Sequence, residues 1–96
     1  MDTNLSANVV DNPTMKRFEL KLDDDEYAAA YYRLEDGQIV IVHTEVPFRF
    51  SGQGIASQLA QAVLEQIRSR GLKIVPQCQF FSAYLAKHPE YSDLIA

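Results

Sequence analysis

A single cysteine, Cys78, stands among the 96 residues, which excludes an internal disulfide framework and a multi-thiolate metal centre. A reducing cytoplasm is the expected home. The longest purely apolar run is Ile39-Val40-Ile41-Val42, far short of the roughly 20 residues that a membrane-spanning helix needs, so no membrane association is expected. Nine Lys and Arg against 13 Asp and Glu leave a formal net charge of -4, without the basic footprint that nucleic-acid backbones require. Internal repeats and low-complexity linkers are also missing. Residues 1–14 lack the basic start and apolar stretch of a secretory signal. Residues 1–15 are accordingly expected to form a flexible tail ahead of one domain over 16–96. With 47% hydrophobic and 23% charged residues the composition is that of an ordinary globular chain, and its length suffices for one core but not two.

Lys16 to Leu22 alternates so that Phe18, Leu20 and Leu22 share a face, which predicts a half-buried strand. Asp23-Asp24-Asp25-Glu26 then reads as a solvated turn. Tyr27 to Leu34 predicts a second strand, although its three alanines also suit a helix. Asp36-Gly37 is a strong hairpin signal, pairing that strand antiparallel with Gln38 to Val46.

Ile55, Leu59, Val63 and Ile67 fall on one stripe of a helix over residues 55–70, closed by Gly71. Leu72 to Val75 is a short strand, and Gln79 to Lys87 a second helix that His88-Pro89 ends. The order predicts an α/β (α+β) domain, with a mixed, mostly antiparallel sheet and one parallel strand-helix-strand crossover. Such a crossover brings the C-terminal ends of two strands to one edge of the sheet, where ligands of open α/β sheets bind. The groups leaving those strands are His43-Thr44-Glu45 and Gln77-Cys78.

Between the third strand and the long helix, Ser51-Gly52-Gln53-Gly54-Ile55-Ala56 presents backbone N–H groups at a helix N-terminus with no carboxylate before Glu65. That pattern suits a phosphate, or a tight turn that simply needs glycine. The dinucleotide fingerprint fails because Ser57 replaces its third glycine, and a Walker loop fails for lack of Gly-Lys.

The loop resembles the pyrophosphate-binding pattern [Q/R]-x-x-G-x-[G/A] of the GNAT superfamily of acetyl-CoA-dependent N-acetyltransferases. In one register Gly54 and Ala56 match and Ser51 replaces the basic residue; shifted by two, Arg49, Gly52 and Gly54 match. His43-Thr44-Glu45-Val46-Pro47, the P-x-C-x-F block at Pro76 to Phe80 and the K-H-P-E-Y block at Lys87 to Tyr91 are similar to the small YjdJ-like branch of that superfamily. The resemblance implies a minimal GNAT fold without acceptor-site helices. It implies acetyl-CoA as cofactor, with pantetheine along the Thr44 to Val46 edge and pyrophosphate at Ser51, Gly52, Gln53, Gly54, Ile55 and Ala56. Lys87 and His88 are candidates for its phosphates, or a solvated helix end.

Acetyl transfer to an amine needs a proton acceptor and donors for the developing oxyanion. His43, which titrates nearest neutral pH, is the first candidate base and Glu45 the second, both expected on one face of the strand. Cys78 offers a covalent route if the crossover brings it alongside them, or is a small buried hydrophobe. The expected acceptor is an amine of a small molecule or a protein. The alternative is a non-catalytic acyl-CoA-binding or protein-interaction module. A monomer or weak homodimer is expected.

Overall fold

The computed structural model describes residues 8–96. Residues 1–7, half of the expected tail, lie outside the described residues. Five strands, Val9–Asn12 (β1), Arg17–Lys21 (β2), Tyr27–Glu35 (β3), Gln38–Glu45 (β4) and Lys73–Pro76 (β5), form one sheet in sequential order. β1 to β4 pair antiparallel, and β5 joins β4 in parallel through the helix Ile55–Ser69 (α1). A second helix, Gln79–Lys87 (α2), and 3-10 turns at Phe48–Phe50 and Pro89–Leu94 complete the chain.

The expected tail is corrected at Val9–Asn12. These residues are an edge strand in register with β2, Val9 opposite Leu20 and Asn12 opposite Arg17. Val9 is buried, its carbonyl accepts from the Gln66 side chain of α1, and Asp11 receives both the Tyr32 hydroxyl and Arg70. Four residues are too few for alternation to announce a strand, and Pro13 follows at once.

The alternation expected in the other strands puts Phe18 and Leu20 of β2, Ala28, Ala30 and Tyr32 of β3, and Ile39 and Ile41 of β4 into one core. Leu59, Val63, Leu64 and Ile67 of α1 and Phe81, Tyr84 and Leu85 of α2 fill the same cluster. The opposite face displays Arg17, Glu19, Tyr31 and His43.

One irregularity positions the site. Tyr32 faces Ile41 and Tyr31 faces His43, so Val42 is the extra residue of a β-bulge. The inward series Ile39, Ile41 therefore continues as Thr44, opposite the core residue Ala30, while His43 and Glu45 turn outward. Pairing with β5 ends at Ile41 opposite Pro76, and β4 runs on to Glu45 held by β3 alone. The amides of Gln77 and Cys78 both turn to the Ile41 carbonyl, steering the chain away from β4.

Candidate functional site

β4 and β5 part at Ile41, and three groups of residues surround the opening: the end of β4, the start of α2, and the glycine loop before α1. Gly54 caps α1 in the left-handed region with φ 76°, which seats the chain turn without a Cβ penalty. No side chain caps the helix and no acidic residue lies in its first turn. The first helical bond runs from the Gln58 amide to the Gly54 carbonyl, so the amides of Ile55, Ala56 and Ser57 point outward as unpaired donors. A Cβ built at Gly52 or Gly54 meets nothing within 4 Å. The loop is thus open to a ligand and presents a partial positive charge to it.

Beside the loop lies a cleft of about 310 Å³, bordered by Ser51, Gly52, Gly54, Ile55, Ala56 and Ser57. Its floor and walls are apolar, from Val46 at the end of β4, Phe50 and, across the opening, Phe80 of α2. This volume suits one arm of an extended ligand. A polar anchor at one end and an apolar trough along β4 match a phosphate joined to a slender chain. Gln53 sits exposed in the same loop without lining the cleft.

Cys78 stands just before α2, 8% exposed, and its Sγ lies 3.2 Å from the Thr44 hydroxyl. The expectation that Cys78 joins His43 and Glu45 is corrected here, because the bulge at Val42 gives the inward position to Thr44. His43 and Glu45 share the outer face as expected, with Nε2 of His43 3.4 Å from a Glu45 carboxylate oxygen. The His43 ring stacks on Tyr31 at 5.9 Å between centroids, and the Tyr31 hydroxyl, which accepts from Arg17, approaches Glu45 at 3.4 Å. Two chemical groups therefore flank the strand: a sulfur with a hydroxyl below, and an imidazole with a carboxylate above.

Lys87 and His88 end α2, seven and eight residues beyond Phe80, and neither lines the cleft. His88 stacks on Tyr84 at 4.0 Å and its Nδ1 lies 3.3 Å from Glu90, which fits the solvated helix end. Glu90 is held below the ordinary carboxylate range by hydrogen bonding to its own backbone and, against some desolvation, by His88.

Sequence reading missed the cleft role of Phe50 and Phe80: Phe80 reads as part of the buried side of the second helix, and nothing in the local pattern singles out Phe50. Phe80 nevertheless closes the P-x-C-x-F block. It also missed the fate of Arg49, whose guanidinium is bound by Asp23 and Glu26 of the β2–β3 turn. Among the described residues no group of three or more His, Cys, Asp or Glu can hold a metal ion, and no helix is long and apolar enough to cross a membrane.

Comparison with known proteins agrees with this geometry. The sequence model described as GCN5-related N-acetyl-transferase matches residues 17–94. Protein NATD1 of Xenopus tropicalis is 29% identical over 91 residues, covering 93% of this chain and 84% of the frog protein. Protein NATD1 of Mus musculus is 32% identical over 76 residues, covering 77% and 69%. Among solved structures, the NMR solution structure of a GCN5-like putative N-acetyltransferase from Staphylococcus aureus superposes with a TM-score of 0.72 at 30% identity, covering 99% of this chain and 91% of the other. The parted strands, the open glycine loop and the sequence match together identify the chain as a member of the GCN5-related N-acetyltransferase family.

Proposed function

We propose that the protein binds acetyl-CoA and transfers its acetyl group to an amine. The observation that carries this reading is the uncapped N-terminus of α1, with its glycine loop, opening onto an apolar cleft beside the stretch of β4 whose β5 side is left free. The cofactor supplies an acetyl group activated as a thioester. The amides of Ile55, Ala56 and Ser57 hold its diphosphate, and Val46, Ile55 and Phe80 exclude water from its apolar arm. The free edge of β4 at Thr44 to Val46 lies alongside that arm and offers backbone donors where an oxyanion forms.

Two routes for the proton and the acetyl group follow from the two faces of β4. In direct transfer, His43 Nε2 takes the proton of the acceptor amine, with Glu45 beside it to steady the imidazolium. In the covalent route Cys78 carries the acetyl group, and the Thr44 hydroxyl orients the sulfur. The acceptor is an amine of a small molecule or of a protein, reached through a site that no additional helices enclose. A cytoplasmic setting agrees with the lone, unpaired thiol.

A second reading, an acyl-CoA-binding module without turnover, draws on the separation of His43 and Glu45 from Cys78. Calorimetric titration with acetyl-CoA tests both. Ser57→Glu places a carboxylate among the diphosphate donors at an exposed first-turn position where Glu suits a helix. Saturable binding by the parent, lost in folded Ser57→Glu, supports the site. Binding without acetyl release across a panel of amines would favour the module, and no binding at millimolar cofactor removes both.

A further inference from the structure

Arg49 is the only Lys or Arg between Arg33 and Arg68, and it immediately precedes the glycine loop. An anionic ligand at that loop would have this one guanidinium within the same segment to answer its charge. Yet the side chain is turned to the β2–β3 turn: Nε donates to Glu26 Oε1 at 2.6 Å and a terminal nitrogen donates to Asp23. Its Cζ lies 4.5 Å from the centroid of Phe50, a wall of the cleft. The side chain is 62% exposed, so water screens both ion pairs and leaves them easily exchanged. A phosphate accepts the planar guanidinium through two parallel hydrogen bonds and competes well for it.

The turn itself is built to stay in place when Arg49 leaves. Asp23 Oδ1 accepts the amides of Asp25 and Glu26, and the Leu22 amide donates to the Glu26 carbonyl. The charged groups along it are Asp23, Asp24, Asp25 and Glu26, with Arg49 the cation at that cleft. Withdrawing Arg49 therefore leaves four adjacent carboxylates unanswered, a cost that cofactor binding must meet.

We propose that Asp23 and Glu26 set the cofactor affinity of the protein by holding Arg49 off the glycine loop, and that Arg49 passes from this acidic turn to a cofactor phosphate on binding. The proposal rests on the acetyl-CoA reading of the site. It assigns the acidic turn a role as a competitor for the arginine, so that affinity depends on an intramolecular exchange of ion pairs.

The test is calorimetric titration of CoA at two salt concentrations into the parent and into Asp23→Asn/Glu26→Gln. The asparagine retains the oxygen that accepts the Asp25 and Glu26 amides. The double variant should bind roughly three- to tenfold more tightly, the scale of two screened ion pairs. Asp24→Asn/Asp25→Asn removes the same charge from the same turn without freeing Arg49 and should bring a smaller gain. Adding Arg49→Gln to the first double variant should erase its advantage, and pantetheine, which lacks phosphate, should not distinguish the variants. Equal gains from the two double variants, a gain that survives Arg49→Gln, or weaker binding by Asp23→Asn/Glu26→Gln would overturn the exchange while leaving CoA binding intact. Absence of binding in every form removes the acetyl-CoA reading and the exchange together.

Discussion

Val42 decides which side chains of β4 meet Cys78. Without the extra residue, strict alternation from Ile41 would send His43 inward and Thr44 outward; with it, the Thr44 hydroxyl reaches the sulfur and His43 faces Tyr31. The two transfer routes of the proposed function thus depend on separate residues and can be told apart. If the acetyl group passes through Cys78, Cys78→Ala abolishes turnover. Thr44→Val, which keeps the shape and removes the hydroxyl, then slows it roughly three- to tenfold, as loss of one hydrogen bond does. An acetyl-sulfur adduct on Cys78 is then detectable by mass spectrometry, and His43→Gln, on the opposite face of β4, leaves turnover within about twofold of the parent. If transfer is direct, Cys78→Ala retains activity within about twofold, and His43→Gln, which removes the general base, cuts turnover by about 100-fold or more. A Cys78→Ala protein with near-parental turnover sinks the covalent route.

At the scale of elements, turn chemistry and caps dominate. The β3–β4 hairpin has Asp36 at φ 48° and Gly37 at φ 79°, as a two-residue turn matched to strand twist requires. Gly54 holds a comparable conformation at the start of α1. Since an added Cβ meets no neighbour at either glycine, the cost of alanine is conformational alone, about 1 kcal/mol at each site. Denaturant melts of Gly37→Ala and Gly54→Ala should show similar losses, whereas CoA titration should separate them, with affinity falling only in Gly54→Ala. Equal CoA affinity in the two variants argues against the loop as the anion site.

These elements were also the legible ones. Asp36-Gly37 and the α1 stripe ending before Gly71 follow from local chemistry, and the sequence order of strands and helices dictated a parallel β4–β5 crossover. The bulge was not legible, because Val42 resembles its apolar neighbours and only pairing with β3 makes it surplus. Nor was β1, whose Val9 carbonyl and Asp11 carboxylate are bound by Gln66, Tyr32 and Arg70 from distant parts of the chain. In the candidate site, the glycine loop announced itself through spacing. The partnership of Thr44 with Cys78 and the capture of Arg49 by Asp23 and Glu26 required the fold, since 34, 26 and 23 residues separate the partners.

Across the whole molecule, two buried tyrosines tie the chain ends to its centre. Tyr32 of β3 donates to Asp11 of β1, and Tyr91, beyond α2, donates to Glu65 of α1 at 2.7 Å. Burial, reinforced by the Asp11 carboxylate, pushes the Tyr32 hydroxyl up to about 12. Burial and Glu65 likewise raise Tyr91. Both folded-state values exceed the ordinary unfolded value of about 10, so the unfolded chain loses these protons first. Their stabilising contribution is complete below pH 10 and declines as pH rises from there through the raised folded values, about 12 for Tyr32 and higher for Tyr91. Urea unfolding at pH 8, 10 and 11.5 should therefore show stability falling over the last interval. Tyr32→Phe and Tyr91→Phe should each start less stable at pH 8, lacking a hydrogen bond, and fall less steeply above pH 10. Asp11 keeps Arg70 as a partner in Tyr32→Phe, so β1 should remain paired. Parallel stability curves for parent and both variants above pH 10 would mean that other groups govern alkaline unfolding.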